Sequence, residues 1–178
     1  MLIYLFVALA ALSNSPDALL EAAAHGDRNK VEMLLQSGVS SNTRDHHRHF
    51  TALHNAASQG HAGICDTLIA SGAAVDSVDW HGATPLVSAA YSGRLDVVDL
   101  LLLHHAKIDI IPHAAPTALI AAVMSRDDTI VLRLLNAGAN PLLADFSGQN
   151  PLDAAKSAGL EKIILMLVAA QTQRSVQQ

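Results

Sequence analysis

Histidine is the residue type in this chain with the clearest potential for chemistry, and ten copies are present. His46, His47 and His49 lie close together, and His81 and His113 follow at wider spacing. Neutral imidazole is the commonest protein ligand for metals, so His46 and His49 are candidate ligands for zinc or copper. Imidazole also titrates near pH 6.5, which makes pH sensing a second hypothesis. Because no carboxylate or thiolate completes a ligand set in sequence, we predict no metal site and keep both ideas as the alternative.

Nucleophilic and cofactor chemistry have no sequence support. Cys65 is the only cysteine, which excludes an internal disulfide and a C-x-x-C motif. It follows Ile64 in an apolar stretch, so we predict a small buried side chain and not a nucleophile. No strained nucleophile turn, phosphate-binding glycine loop or H-E-x-x-H pattern appears. The sequence therefore predicts neither an enzyme nor a cofactor.

Charge and composition narrow the class of partner. The formal net charge is −5, and the 11 lysines and arginines are scattered along the chain. Binding to nucleic acid through phosphate neutralisation needs a basic stripe, so we exclude nucleic acid as a partner. The chain is 51% hydrophobic but only 3% aromatic, as expected when small and branched side chains fill thin layers between helices.

The first 12 residues form an uncharged apolar run without helical periodicity. The run is shorter than the roughly 17 to 25 residues of a membrane span but fits the roughly 7 to 15 of a secretory signal. We interpret residues 1–13 as a signal peptide, and an apolar helix that caps the following domain is the alternative. The first interpretation predicts an exported protein, secreted or periplasmic, and the second a cytoplasmic one. Neither includes a stable membrane span.

Four tetrads recur at a fixed interval of 33 residues. They are Thr51-Ala52-Leu53-His54, Thr84-Pro85-Leu86-Val87, Thr117-Ala118-Leu119-Ile120 and Asn150-Pro151-Leu152-Asp153. Paired alanines follow each tetrad, and a degenerate copy with Ala22, Ala23 and Gly26 precedes them by 34 residues. One extra residue therefore lies in the loop that follows Asp45.

These tetrads and their spacing resemble the ankyrin-repeat family, in which each copy is a β-turn finger followed by two antiparallel helices. The resemblance implies an all-α solenoid. We place the repeat domain at residues 16–170, with repeats at about 16–50, 51–83, 84–116, 117–149 and 150–170. Residues 171–178 form a polar tail that we expect to fray.

The residues of each repeat have predictable mechanical roles. The Thr of the tetrad should cap the first helix, and Pro85 and Pro151 should occupy first helical positions. Glycines should take left-handed conformations after each helix, but His105 and Arg126 stand at two of these positions. Each replacement should cost about 1 kcal/mol. His54 and His61 match family positions that are structural.

The joint between the third and fourth repeats departs from the pattern. Residues 110–116 replace the D-x-x-G of the finger, so both the Asp side-chain cap and the turn glycine are lost. We predict a distorted finger and the softest joint of the array. Neutral sequence drift in a surface loop and adaptation to a function explain this divergence equally well.

Ankyrin arrays bind other proteins through the finger tips and the exposed side of the first helices, which implies a contact set for a partner protein. The set comprises His46, His47, His49, Asn55, Ser58, Gln59, Trp80, His81, Ala83, Ser88, Tyr91, Ser92, His113, Phe146, Ser147 and Gln149. Trp80, the only tryptophan, is the candidate binding hot spot. Its alternative role is to pack on the neighbouring finger.

The outer helices raise the question of self-association. Leu132 and Leu165 occupy equivalent positions in successive repeats, and Leu100 and Met166 occupy equivalent positions two repeats apart. Together they predict an exposed apolar patch. We expect a monomer, with this patch as the candidate surface for self-association. Local packing, or folding back of the tail, is the alternative fate of these side chains.

Overall fold

The computed structural model describes residues 15–176, which form ten helices in five antiparallel pairs. The helices are α1 (Pro16–His25), α2 (Arg28–Gln36), α3 (Ala52–Gln59), α4 (Ala62–Ala70), α5 (Pro85–Tyr91), α6 (Leu95–Leu103), α7 (Ala118–Met124), α8 (Asp128–Asn136), α9 (Pro151–Ser157) and α10 (Glu161–Val176). Within this range no strand forms, and a single antiparallel bridge joins Arg44 to Thr51. The predicted all-α solenoid is confirmed.

The helices form two parallel rows. The first helices of the repeats, α1, α3, α5, α7 and α9, pack on one another as an inner row, and the second helices form an outer row. The core is one continuous cluster that runs along the array. Leu19, Leu53, Leu86 and Leu119 begin this buried stripe, one in each of the first four repeats. Each repeat is therefore covered by its neighbours and has no separate core.

Local capping explains where the inner helices begin. The side chains of Thr51, Thr84 and Thr117 each accept a hydrogen bond from the backbone N–H three residues later. Asn150 does the same for α9, and Ser15 caps α1 through the N–H of Ala18. The predicted caps are confirmed, and they satisfy backbone donors that a helix end leaves without partners.

His54 has the structural role that was predicted for it. Its ring is fully buried, and Nδ1 accepts a hydrogen bond from the backbone N–H of Thr51. With that nitrogen as the acceptor, Nε2–H donates to the carbonyl of Ala83 at 3.1 Å. Burial lowers the pKa of His54, although the Ala83 carbonyl and the charge of Asp79 partly oppose this shift. The neutral imidazole thus joins the start of α3 to the end of the second repeat, directly before the third.

Within residues 15–176, three residues other than glycine have left-handed backbones. His105 and Arg126, both at φ 60°, occupy the predicted glycine positions, and the equivalent Gly72 has φ 85°. His49, at φ 64°, lies two residues before a capping Thr, as Gly82 does in the next finger. The left-handed region costs an ordinary residue about 1 kcal/mol, so the array carries strain at three sites.

The C-terminal segment differs from its prediction. Helix α10 continues to Val176, so residues 171–176 of the polar tail are helical. Ala170, Gln173 and Arg174 line a cleft with Leu135 and Pro141, at the end of α8. Packing on the preceding repeat accounts for the additional turns.

The other end of the chain bears on localisation. The predicted signal peptide at residues 1–13 lies outside the described residues, as do residues 177 and 178. Among the helices that the structure describes, none is both long and apolar enough to cross a membrane.

Candidate interaction surface

An Asp side chain builds the second finger, residues 79–83. Oδ1 of Asp79 accepts hydrogen bonds from the backbone N–H groups of His81 and Ala83, both at 2.8 Å. The N–H of Asp79 donates to the Ala83 carbonyl and closes the hairpin. Asp145 organises residues 145–149 in the same way through Ser147 and Gln149. Both tips are therefore rigid loops whose intervening side chains point away from the backbone bonds.

The first finger is longer by one residue, as the spacing predicts. The N–H of Asp45 donates to the carbonyl of Phe50, and Oδ1 of Asp45 accepts from the amides of His47, Arg48 and His49. Partial burial raises the pKa of Asp45, but these amide hydrogen bonds outweigh it and leave the pKa lowered. The Asp45 carboxylate is thus occupied by hydrogen bonds to the backbone of its own finger.

The third finger, residues 110–116, has neither an Asp side chain that binds its amides nor a backbone hydrogen bond that closes a hairpin. No hydrogen bond closes a hairpin within residues 110–116, which confirms the predicted distortion. The segment instead bonds to the second finger: the N–H of Ala114 donates to the His81 carbonyl, and Nε2 of His113 lies 2.8 Å from the Trp80 carbonyl oxygen. Its conformation therefore depends on its neighbour.

Side chains at the base of each finger connect successive repeats. Asn42 Oδ1 accepts from the N–H of Ala74, and Asp76 Oδ1 accepts from the N–H of Lys107. Asp109 accepts from the N–H of Asn140. These bonds fix the spacing of the four fingers, residues 45–50, 79–83, 110–116 and 145–149, which we call the finger row.

Most of the predicted contact residues are accessible. The exposed ones are His46, His47, His49, Gln59, Trp80, His81, Tyr91, His113, Phe146, Ser147 and Gln149, and the half-buried ones are Asn55, Ser58, Ser88 and Ser92. Ala83 is only 8% exposed, because the finger closes over it and its carbonyl bonds His54, so its expected outward position is wrong. Asn55 donates to the Leu20 carbonyl and also holds two repeats together.

Trp80 combines the two roles proposed for it. Its side chain is 54% exposed, yet the ring stacks on His49 with centroids 6.0 Å apart. Its backbone N–H donates to the Arg48 carbonyl. One face of the indole therefore packs on the first finger while the rest is open to a partner.

The finger histidines do not converge on one point. Among the described residues, no three His, Cys, Asp or Glu side chains come together as a metal site. His113 bonds to the Trp80 carbonyl, and His81 Nδ1 lies 3.7 Å from Asp79 Oδ2. The geometry of these loops gives the metal alternative no support.

The sequence prediction missed Arg44, Arg48 and Ile111. Arg44 precedes the finger Asp, and Arg48 lies in the finger with the extra residue, so family positions do not point to either. Ile111 is exposed in the divergent third finger. The 34-residue interval around the first finger was the signal that could have drawn attention to Arg48.

The outer-helix patch is smaller than predicted. Leu132 and Leu165 are 47% and 68% exposed, but Leu100 and Met166 are half-buried and packed on the core. Val168 of α10 is also exposed, because no further repeat covers α10 within the described chain. Self-association through this patch stays a prediction.

Cys65 is fully buried, as predicted. Burial raises the pKa of its thiol to about 12. Since the thiolate is the reactive form, this side chain is an inert part of the core.

Comparison with known families agrees with this architecture. A family model described as ankyrin repeats matches three copies over residues 19–114, more than half of the chain. Two further helix pairs, α7 with α8 and α9 with α10, continue the same arrangement to Val176. Ankyrin repeats generally mediate protein–protein interaction, and the family is typically not enzymatic. Periodicity, caps, paired helices and the family match agree, and the chain belongs to the ankyrin-repeat family.

Proposed function

We propose that this protein binds a partner protein through the finger row and the exposed side of the inner helices. The observation that carries the proposal is the exposure of three aromatic side chains on this one surface. Trp80 and Phe146 project from fingers, the latter 76% exposed, and Tyr91 lies at the end of α5.

These aromatics suit recognition more than folding. Aromatic side chains bring large contact area with few rotatable bonds, so they recur as binding hot spots. Phe146 projects from a loop that Asp145 holds rigid, so little further ordering is needed on binding. A pre-organised row of fingers therefore favours protein recognition over a solely structural role.

Partner capture with finger variants tests the proposal. Trp80→Ala should weaken binding by about 2 kcal/mol or more, because a hot-spot aromatic is buried only in the complex. Leu103→Ala is the matched control, since Leu103 is 73% exposed but lies on the outer helix α6. Tagged full-length protein from the native host would be cross-linked, and the recovered proteins quantified by mass spectrometry for each variant.

The outcomes separate the two surfaces. Selective loss of a partner with Trp80→Ala, at a melting temperature close to that of the parent, supports the proposal. Equal recovery with both variants, or loss only with Leu103→Ala, moves the binding surface away from the fingers and overturns it.

We further propose that the protein is exported by means of residues 1–13. The apolar run, the absence of charge within it and the small residues at its end support a cleaved signal. Intact-mass measurement on material from the native host tests this. A mass that retains residues 1–10 would overturn export and favour the capping helix, with a cytoplasmic location.

A further inference from the structure

Charge is distributed unequally between the two faces of the array. On the outer helices, carboxylates are paired with cations: Arg28 Nε lies 2.8 Å from Glu32, and Arg133 Nε lies 2.9 Å from Asp99. His104 Nε2 is 3.1 Å from Asp66. These three outer-helix carboxylates already have cationic or imidazole partners.

Free carboxylates are absent from the middle of the inner face. Helices α3, α5 and α7 contain no Asp or Glu, whereas α1, at the start of the inner row, carries the exposed Asp17 and Glu21. In the first two fingers the only carboxylates are Asp45 and Asp79, which bind backbone amides, and the third finger has none. The turns between the two helices of the third and fourth repeats carry one cation and one carboxylate each, so they add no net charge. The pairs are Arg94 with Asp96 and Arg126 with Asp127.

Two arginines of this face lack an acidic partner. In the range 15–176, neither Arg44 nor Arg48 is within salt-bridge distance of a carboxylate. Arg44 is held in place by hydrogen bonds from Nη1 to the carbonyls of His49 and Val78. The Arg48 guanidinium lies over the Phe50 ring, 5.8 Å from its centroid.

Trp80 lies beside these two cations. Its backbone N–H donates to the Arg48 carbonyl. Its ring stacks on His49, whose backbone carbonyl accepts a hydrogen bond from Arg44. We call Arg44, Arg48 and Trp80 the basic corner. It brings two arginines and an exposed indole together where the first finger is hydrogen-bonded to the second. The imidazoles around it are neutral or cationic, so they do not cancel this charge.

We propose that the basic corner selects an acidic partner segment, in which a carboxylate lies next to a large apolar side chain. This inference rests on the proposed function. Arginine binds carboxylates through two parallel hydrogen bonds, and an indole alongside buries the neighbouring apolar group. Because the chain as a whole carries −5, an acidic segment is repelled elsewhere and directed to this corner.

Selection from a random library tests the chemistry without a known partner. Phage that display random 12-residue peptides would be selected on the immobilised full-length protein at pH 7.5. We expect the enriched peptides to carry net negative charge and at least one aromatic or large aliphatic residue. A single-stranded DNA oligonucleotide of equal negative charge, assayed in parallel, should bind at least tenfold more weakly.

Charge variants locate the site. Arg48→Glu should weaken binding of an enriched peptide at least tenfold, since it reverses a cation that lies over Phe50 and forms no ion pair within residues 15–176. Arg44→Gln should also weaken it, with circular dichroism used to confirm folding because Arg44 supports two carbonyls. Arg28→Glu makes the same charge change on the outer helix α2 and should leave binding within about twofold of the parent.

Acidic peptides that bind the parent and are lost with Arg48→Glu support the proposal. Neutral or basic peptides that still depend on Trp80 overturn the acidic preference but leave the proposed function intact. Peptides insensitive to every finger variant, or no enrichment over an unrelated protein, count against both. Binding of DNA as tight as that of the peptides overturns the assignment to a protein segment.

Discussion

The second and third fingers occupy equivalent positions but are stabilised differently. The second finger has its own Asp, its own turn glycine and a hairpin hydrogen bond between Asp79 and Ala83. The third finger has Pro112 in place of the Asp and relies on the carbonyls of Trp80 and His81 for its bonds. Its polar backbone is thus satisfied by the preceding repeat.

This difference shows that a solenoid transmits the consequences of a local substitution along the array. Loss of the Asp in the third finger did not leave that loop without bonds, because each repeat touches its neighbour. As a result, the conformation of the third finger depends on hydrogen bonds to the second. Damage to the second finger should therefore spread to the third, whereas damage to the third should remain local.

The largest expected effect comes from Asp79→Ala. The carboxylate is 7% exposed and accepts two amide hydrogen bonds, so its removal should lower the free energy of unfolding by about 3 kcal/mol. Asp145→Ala is the matched control in a finger on which no other finger depends, and it should cost about 1 to 2 kcal/mol. Urea unfolding of both variants measures the difference. Equal losses would contradict the dependence of the third finger on the second.

Acid should weaken the bond that His54 makes with Ala83 in the second finger. Burial lowers the pKa of His54 from an ordinary value of 6.5, so the unfolded chain takes up the proton first as pH falls. Its contribution is complete above pH 6.5 and is lost as pH falls through the lowered pKa of the folded state. The protein should therefore be less stable at pH 5.0 than at pH 7.5.

Urea unfolding at pH 7.5 and pH 5.0 checks this prediction in two variants. His54→Val introduces the residue type found at the equivalent Val87 and should reduce the difference between the two pH values. His46→Gln, at an exposed fingertip, should leave that difference close to the parent's. An unchanged pH difference in His54→Val would exclude His54 as its source.

Removal of the bond from the third finger to the second should have a moderate, local effect. His113→Ala loses the contact with the Trp80 carbonyl and should cost about 1 kcal/mol. Hydrogen exchange should show early opening over residues 104–128 in the parent and earlier opening in the variant. Gln149→Ala, in the fourth finger, serves as the control. Uniform protection along all five repeats would refute a soft third joint.

Relief of backbone strain should give the smallest change, in the opposite direction. His105→Gly places glycine at φ 60° and should raise the free energy of unfolding by about 0.5 to 1 kcal/mol. Gly138→Ala is the reciprocal control: its added methyl meets no atom within 4 Å, so a loss of about 1 kcal/mol would report the backbone alone. If His105→Gly fails to stabilise the protein, the strain argument at this position is wrong.

Much of the fold could be predicted because its determinants are local. Thr51 caps a helix through an N–H three residues away, and the glycine positions follow from backbone conformation within one repeat. The candidate surface was less predictable. Ala83 and Asn55 match contact positions of the family, yet one is buried by its own finger and the other bonds the preceding repeat.

The sequence by itself determined the period, the starts of the inner helices, their caps and two of the three strained positions, since each depends on residues within one or two turns of chain. Only the tertiary structure decided how fingers share their hydrogen bonds, where Trp80 packs and which arginines lack partners. Those outcomes depend on contacts such as His113 with Trp80 or Asp76 with Lys107, which join residues more than 30 positions apart. Such pairs meet only after the repeats stack, so no pattern within a single repeat encodes them.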